Sequence, residues 1–237
     1  DKEDKLRKIK ELIRKLLETI KRLVEEHDKE LDETLKKLED LVREHDRLLD
    51  ETLKRLEERG LPEDVLRELK KAVEDVKRKN KRVLEEAERV IRDVKRENKE
   101  VLRTLKRVVE EVEDALDRTR DDKAVEDLIR KLIEALKEAL DRLRRSDEKV
   151  VEVVRRLLKL LKDSSKDLAD VLREVIRKTN EEEELERDLE RLEKTSEDLL
   201  RRVKEEIDRL HERSKKLLDE ARKKLEELLK TVKDIAK

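Results

Sequence analysis

Residues 24–41 read VEEHDKELDETLKKLEDL, and residues 42–59 read VREHDRLLDETLKRLEER. Twelve of the eighteen positions are identical, and each copy carries a histidine at the same place, His27 and His45. Apolar residues recur three and four positions apart, which is the spacing of one face of an α-helix. Because eighteen residues complete five turns at about 3.6 residues per turn, both copies present the same face. The stretch therefore predicts a long helix whose apolar stripe contains the two histidines.

The composition of the whole chain suits long helices. Of the 237 residues, 57% are charged and 34% are hydrophobic, and there is no aromatic residue, Cys or Met. Gly and Pro occur once each. An ordinary globular domain is about a quarter charged and carries aromatic residues, whereas chains built from Leu, Val, Lys, Arg and Glu with a helical period form long helices.

Several classes of function are disfavoured by the charge balance and by the missing residue types. Lys and Arg number 67 against 68 Asp and Glu, whereas a nucleic-acid binder needs a basic face and usually stacking aromatic residues. No apolar run approaches the roughly 18 residues of a membrane span, and no signal or lipidation motif is present. Without Cys there can be no disulfides. We therefore expect no nucleic-acid or membrane partner, no small-molecule ligand and no cofactor.

Three breaks interrupt the helical pattern. In ERGLPED, Gly60 can end one helix in a left-handed conformation, and Pro62 fits the first turn of the next. In RTRDDKA, Asp121 and Asp122 are candidate N-caps ahead of a new apolar stripe.

The third break is RKTNEEEE, where Thr179 or Asn180 can cap a helix and the glutamates that follow suit a helix N-terminus. The breaks predict four helices of nearly equal length. Their predicted ranges are about 3–59, 62–119, 122–178 and 181–236.

Four helices joined by short connections fold back on one another, and short connections make neighbours antiparallel. A helix of about 57 residues is roughly 85 Å long. The sequence thus predicts an all-α fold, a long, straight, up-down-up-down antiparallel four-helix bundle forming one unit over 1–237. Nearly straight helices are expected because the 18-residue period, unlike a heptad, requires almost no supercoil.

Each predicted helix also carries a pair of polar residues eighteen positions apart inside its apolar stripe. Counting outward from the three turns brings one member of each pair to a common height, within three residues or about 4.5 Å. We therefore predict two polar layers in the core. One layer contains His45, Asn80, Ser164 and Ser196, and the other contains His27, Asn98, Ser146 and Ser214. Candidates to extend the layers are Thr34, Thr52, Ser165 and Thr195.

Such layers predict a structural role. An unpaired buried polar group costs about 1–3 kcal/mol, so a helix shifted by one turn would lose the partners of all its polar residues. Satisfied layers therefore select one register and one pairing of helices. The role that we expect for His211, beside Leu210, is structural, at the boundary of the core.

The predicted layers do not suit metal binding or catalysis. One His, one Asn and two Ser make a poor site for zinc or iron. The stripe is predicted to hold no inward Glu and no carboxylate that would complete a Ser–His–acid arrangement. We therefore expect no metal ligand and no catalytic residue. A buried neutral histidine does resist protonation, so partial acid sensitivity is expected.

Together these features resemble computationally designed four-helix bundles with buried hydrogen-bond networks. The resemblance covers the whole chain and rests on the equal segments, the 18-residue repeat, caps such as RGLPED, a surface of Lys, Arg, Glu and Asp, and the matched polar layers. It implies a hyperstable de novo scaffold built from helical hairpins, with no natural function and no enzymatic activity.

The resemblance also implies a synthetic, soluble protein that is cytoplasmic when expressed recombinantly, and a monomer. A domain-swapped dimer and a designed partner helix are the alternatives for its assembly. The alternative function is a protein-binding or pH-responsive switch module that uses a displaceable helix or hairpin and the buried histidines.

Overall fold

The computed structural model describes residues 2–179 and 182–235, and nearly all of them are helical. The helices are α1 (Lys2–Glu58), α2 (Glu63–Arg118), α3 (Asp122–Arg177) and α4 (Glu182–Ile235). No strand occurs in these residues, and every pair of helices is in contact. The predicted all-α four-helix bundle is thus confirmed. Each described helix end lies within one residue of its predicted position.

Local hydrogen bonds mark where the helices end and begin. The N–H of Gly60 donates to the carbonyl of Glu57 at 3.2 Å, and the carbonyl of Pro62 accepts the first bond of α2, from Leu66 N at 3.0 Å. Asp121 caps α3, because its Oδ1 accepts from Lys123 N at 3.4 Å.

At the third break, the N–H of Thr179 donates to the carbonyl of Ile176 at 2.9 Å. Thr179 Oγ1 donates to the same carbonyl at 2.7 Å. Both bonds satisfy a carbonyl of α3, so Thr179 belongs to the end of that helix. The other predicted cap, Asn180, lies outside the described residues.

Gly60 has a φ of +71°, in the left-handed region that costs other L-residues about 1–2 kcal/mol. Nothing lies within 4 Å of a Cβ built at this position, so the cost of a side chain there is one of backbone conformation alone. We expect Gly60→Ala to lower the free energy of unfolding by about 1–2 kcal/mol, measured by chemical denaturation. Gly60→Asn is the control, since Asn tolerates this region, and equal losses in both variants would contradict the explanation.

The chain divides into two compact units, each containing a piece of all four helices. Unit 1 comprises Asp1–Leu31, Arg92–Val150 and Leu210–Lys237, and unit 2 comprises Asp32–Ile91 and Val151–Arg209. The sequence-based prediction of one unit over 1–237 stays a prediction.

The core of unit 1 is built from aliphatic side chains of all four helices. Fully buried examples are Ile9, Ile13, Leu132, Leu136, Ala221 and Leu228, with α2 adding Val101, Leu105 and Val109. The beginning of α1 runs beside the end of α2, where Lys10 pairs with Asp117, and Arg14 lies 3.4 Å from Glu113. This pairing reflects the antiparallel course of the two helices.

Unit 2 has a core of the same kind. Its buried aliphatic residues include Leu49, Leu56, Leu69, Leu168, Leu172, Leu185 and Leu189. Arg59, just beyond α1, binds Asp188 of α4 at 3.0 Å and also pairs with Glu184. Across the part of the chain that the structure describes, no helix has both the length and the apolarity needed to cross a bilayer.

Candidate functional site: two buried polar clusters

In unit 2, the imidazole of His45 is 3% exposed and bonded at both nitrogens. Its Nδ1 lies 2.9 Å from Asn80 Nδ2, and its Nε2 lies 2.7 Å from Ser165 Oγ. An amide nitrogen only donates, so Nδ1 is the acceptor and Nε2 carries the proton. Asn80 Nδ2 also donates to Asp46 Oδ1 at 3.2 Å, which fixes the orientation of the amide.

Ser165 joins this cluster to the fourth helix. Its hydroxyl donates to the carbonyl of Leu161 at 2.9 Å and accepts from Ser196 Oγ at 3.3 Å. His45, Asn80, Ser165 and Ser196 belong to α1, α2, α3 and α4 in that order. A chain of hydrogen bonds therefore connects all four helices. We call these four residues, together with Asp46, the His45 cluster.

A related cluster in unit 1 is built around His27. Its Nδ1 lies 2.7 Å from Asn98 Nδ2, and its Nε2 lies 3.2 Å from Asp147 Oδ1. By the same donor argument, Nδ1 accepts and Nε2–H points at the carboxylate. His27 is 5% exposed and Asp147 7%, so this is a buried imidazole facing a buried carboxylate.

Three more side chains complete what is here called the His27 cluster. His211 Nδ1 lies 2.8 Å from Asp147 Oδ2, close enough for an ion pair but at an angle outside hydrogen-bond geometry. Ser214 donates its hydroxyl to Glu30 Oε2. Among the described residues, neither Asp147 nor Glu30 has an ion pair with Lys or Arg.

Burial and charge perturb three of these groups. Burial lowers the pKa of His45 to about 4, because a buried imidazolium loses its hydration. Burial raises the pKa of Glu30, and the bond from Ser214 and the nearby His27 offset part of that rise. Burial likewise raises the pKa of Asp46, against the bond from Asn80 and the charge of Lys77.

Of the residues predicted for the His45 layer, His45, Asn80 and Ser196 are buried, and a hydrogen-bond chain through Ser165 links them. Ser164 and Ser165 are both half-buried, and it is Ser165 that makes the bond to His45. On a helix, adjacent residues are about 100° apart, so only one of the two serines can face the imidazole.

The residues predicted for the His27 layer are all buried: His27, Asn98, Ser146 and Ser214. The structure bonds His27 directly to Asn98, but α3 reaches His27 through Asp147 rather than Ser146. Ser214 bonds Glu30 rather than another predicted member. Among the candidates for extending the layers, Thr34 and Thr52 are buried and Thr195 is exposed.

The expectation that the core would contain no carboxylate is wrong. Glu30 and Asp147 are each 7% exposed. One signal was present in the sequence: Asp147 stands eighteen residues before Ser165, as Ser146 does before Ser164. Glu30 lies three residues after His27, on the same helix face. His211, expected at the core boundary, is 24% exposed at its side chain and contacts Asp147.

In both clusters the serine and imidazole protons point at fixed acceptors, and the arrangement offers little other chemistry. Ser165 reaches His45, but its proton is committed to a backbone carbonyl, and the other nitrogen of His45 faces an amide. Ser214 reaches Glu30 instead of a histidine. A Ser–His–acid relay would need one chain through all three groups. Over residues 2–179 and 182–235, no three His, Asp or Glu side chains are grouped to hold a metal ion.

Comparisons with protein-family models, with curated proteins and with solved structures find no match to this chain.

Proposed function

We propose that this protein is a structural scaffold of designed origin, in which the two buried clusters specify how the helices pair and in which register. The proposal is carried by the His45 cluster, whose hydrogen bonds join one side chain from each of the four helices. The equal helix lengths, the 18-residue repeat and the nearly all-charged surface support designed origin.

The energetic argument follows from burial. Asn80 and Asn98 are 0% exposed, and an amide of this kind without partners costs about 1–3 kcal/mol per unsatisfied group. A shift of one helix by one turn moves it about 5.4 Å, farther than any hydrogen bond can stretch. The apolar residues could repack after such a shift, whereas the polar residues could not find new partners.

The test removes the His45 cluster without opening a cavity. We expect the combined variant His45→Leu, Asn80→Leu, Ser165→Ala and Ser196→Ala to keep or raise its denaturant midpoint, because buried polar groups are replaced by apolar ones. Its amide NMR spectrum should nevertheless show more than one set of resonances for unit 2, because alternative registers become accessible.

A matched control alters the exposed neighbours of the same positions: Glu44→Ala, Lys79→Ala, Lys166→Ala and Glu197→Ala. This control should retain one set of resonances. If the apolar variant also gives one set, with long-range contacts unchanged from the parent protein, the cluster does not specify register and the proposed role is wrong.

A further inference from the structure

A groove of about 500 Å³ lies between α3 and α4 in unit 2 and is here called the α3–α4 groove. Its floor contains Leu158 and Leu200, which are 7% and 8% exposed. Of the residues that line it, one is an acid, Glu197, and five are cations, although the net charge of the whole chain is -1. The cations are Arg155, Lys159, Lys162, Arg201 and Lys204. Positive charge is therefore concentrated above an apolar floor.

Like charges meet across this groove, whereas the other seams of unit 2 are bridged by opposite charges. Examples of such bridges are Lys77–Asp50 between α1 and α2, Arg156–Glu86 between α2 and α3, and Lys37–Glu206 between α1 and α4. At one end of the groove, Arg155 of α3 lies 4.0 Å from Asp208 of α4. Four residues inward from this pair, the antiparallel register places Lys159 opposite Lys204. Since like charges repel, an anion between the two helices would relieve this arrangement.

The cations of the groove are available to such an anion. Lys159, Lys162 and Lys204 have no ion pair within residues 2–179 and 182–235. Arg201 pairs with Asp198 at 3.0 Å, but both side chains are exposed. Exposed ion pairs are weak, so this guanidinium group can turn towards another anion at little cost.

A groove between α1 and α4 in unit 1, here called the α1–α4 groove, allows a comparison within the same molecule. It measures about 370 Å³ and is also rich in cations, but no aliphatic residue lines it. Three of its four cations already have partners: Arg14 with Glu113, Arg22 with Glu220, and Lys224 with Thr19. Of the two grooves, the α3–α4 groove alone combines several unpaired cations with an apolar floor.

We propose that the α3–α4 groove binds a small organic anion with an aliphatic chain, taken from free solution. The chain lies against Leu158 and Leu200, and the anionic group lies between Lys162 and Arg201. The volume is within the range of about 300–1,000 Å³ that is usual for small-molecule sites, and the methylene groups of the lysines extend the apolar lining. This inference goes beyond the scaffold role and does not depend on it. It departs from the sequence-based expectation of no small-molecule ligand, because that expectation rested on overall charge balance rather than on local charge.

The size and lining of the groove favour this ligand over a protein helix or an inorganic anion. From Arg155 to Lys162, α3 rises by only about 10 Å at 1.5 Å per residue. A stable protein interface buries about 1,000 Å² or more, and a contact two turns long falls short of that area. An inorganic anion would leave Leu158 and Leu200 uncovered. A single aliphatic chain with one anionic group matches both the floor and the rim.

The experiment adds octyl phosphate, below its micellar concentration, to the full ¹⁵N-labelled chain and follows the backbone amide signals by NMR. We expect saturable binding with a Kd of about 1 mM or tighter, as ligands of this size can reach. The shifts should centre on Leu158, Lys162, Leu200 and Arg201. Inorganic phosphate lacks the chain and octyltrimethylammonium lacks the negative charge, so each should bind at least about tenfold more weakly. If either binds as tightly as octyl phosphate, or if the shifts centre on the α1–α4 groove, the proposal is overturned.

Arg201→Glu tests the groove itself, with Arg202→Glu as the matched control. The two arginines are adjacent and exposed, but only Arg201 lines the groove. Arg201→Glu places opposite charges across the seam, so this variant should fold like the parent. It should weaken octyl phosphate binding at least about tenfold, and Arg202→Glu by less than about threefold, because salt screens distant exposed charges. Equal weakening in both variants would overturn the proposal, as would adsorption to anionic phospholipid vesicles without saturable binding of octyl phosphate.

Discussion

Replacing Asn80 with Asp is expected to lower the free energy of unfolding at pH 7 by about 3–5 kcal/mol, the usual cost of an uncompensated buried charge. The side chain of Asn80 is 0% exposed, and its Nδ2 donates to both His45 Nδ1 and Asp46 Oδ1. The substitution keeps the shape but removes both donors. It also places a second carboxylate against Asp46, so the loss should shrink in acid as the new carboxyl is protonated.

Ser164→Asp is a suitable control for this experiment, because it adds the same charge at a half-buried position of unit 2. Its cost should stay below about 1 kcal/mol, as for most substitutions outside buried contacts. Denaturant unfolding of both variants at pH 7 and pH 4 measures the effect. An Asn80→Asp protein within about 1 kcal/mol of the parent at pH 7 would show that the amide does not hold these two bonds.

The second large effect is the loss of stability in acid through His45. Burial lowers its folded-state pKa from 6.5 to about 4, so folding favours the neutral ring. The stabilisation is therefore complete above pH 6.5 and is lost as the pH falls from 6.5 to about 4. At about 1.4 kcal/mol per pKa unit, the loss amounts to about 3 kcal/mol.

Two buried acids act in the opposite sense. The raised pKa values of Glu30 and Asp46 mean that folding favours their neutral forms, so protonation of these groups in acid is favourable to the fold. The contribution of His45 is isolated by comparing the parent with His45→Gln, which cannot titrate. The denaturant midpoints at pH 7.5 and pH 4 should differ less in His45→Gln than in the parent. In His27→Gln, the contribution of His45 to this difference should remain. The same pH dependence in the parent and in His45→Gln would rule out this mechanism.

The sequence predicts the fold almost completely, because the fold depends on periodicity and breaks. The apolar spacing predicts the helices. Two of the three connections are predicted by Gly60, Pro62 and Asp121, and the structure shows the positive φ and the hydrogen bonds on which these predictions depend. The 18-residue repeat also identifies the histidines and asparagines that meet in pairs.

The details of the clusters are harder to predict for a physical reason. Ser164 and Ser165 are adjacent, and the sequence pattern fits either, since the choice depends on the rotation of α3 by about 100°. Asp147 is hard to identify from the sequence, because an acid beside Ser146 resembles a surface residue until its two histidine neighbours are known. Such contacts join residues far apart in sequence, and no local pattern specifies them.

The members of the two clusters stand the same eighteen residues apart on every helix: His27 and His45, Asn98 and Asn80, Asp147 and Ser165, Ser214 and Ser196. Since that interval is a whole number of turns, an extra block of about 27 Å could be inserted into each helix without rotating any face. Length then becomes an adjustable property of this architecture, and each added block would carry its own histidine–asparagine pair into the core.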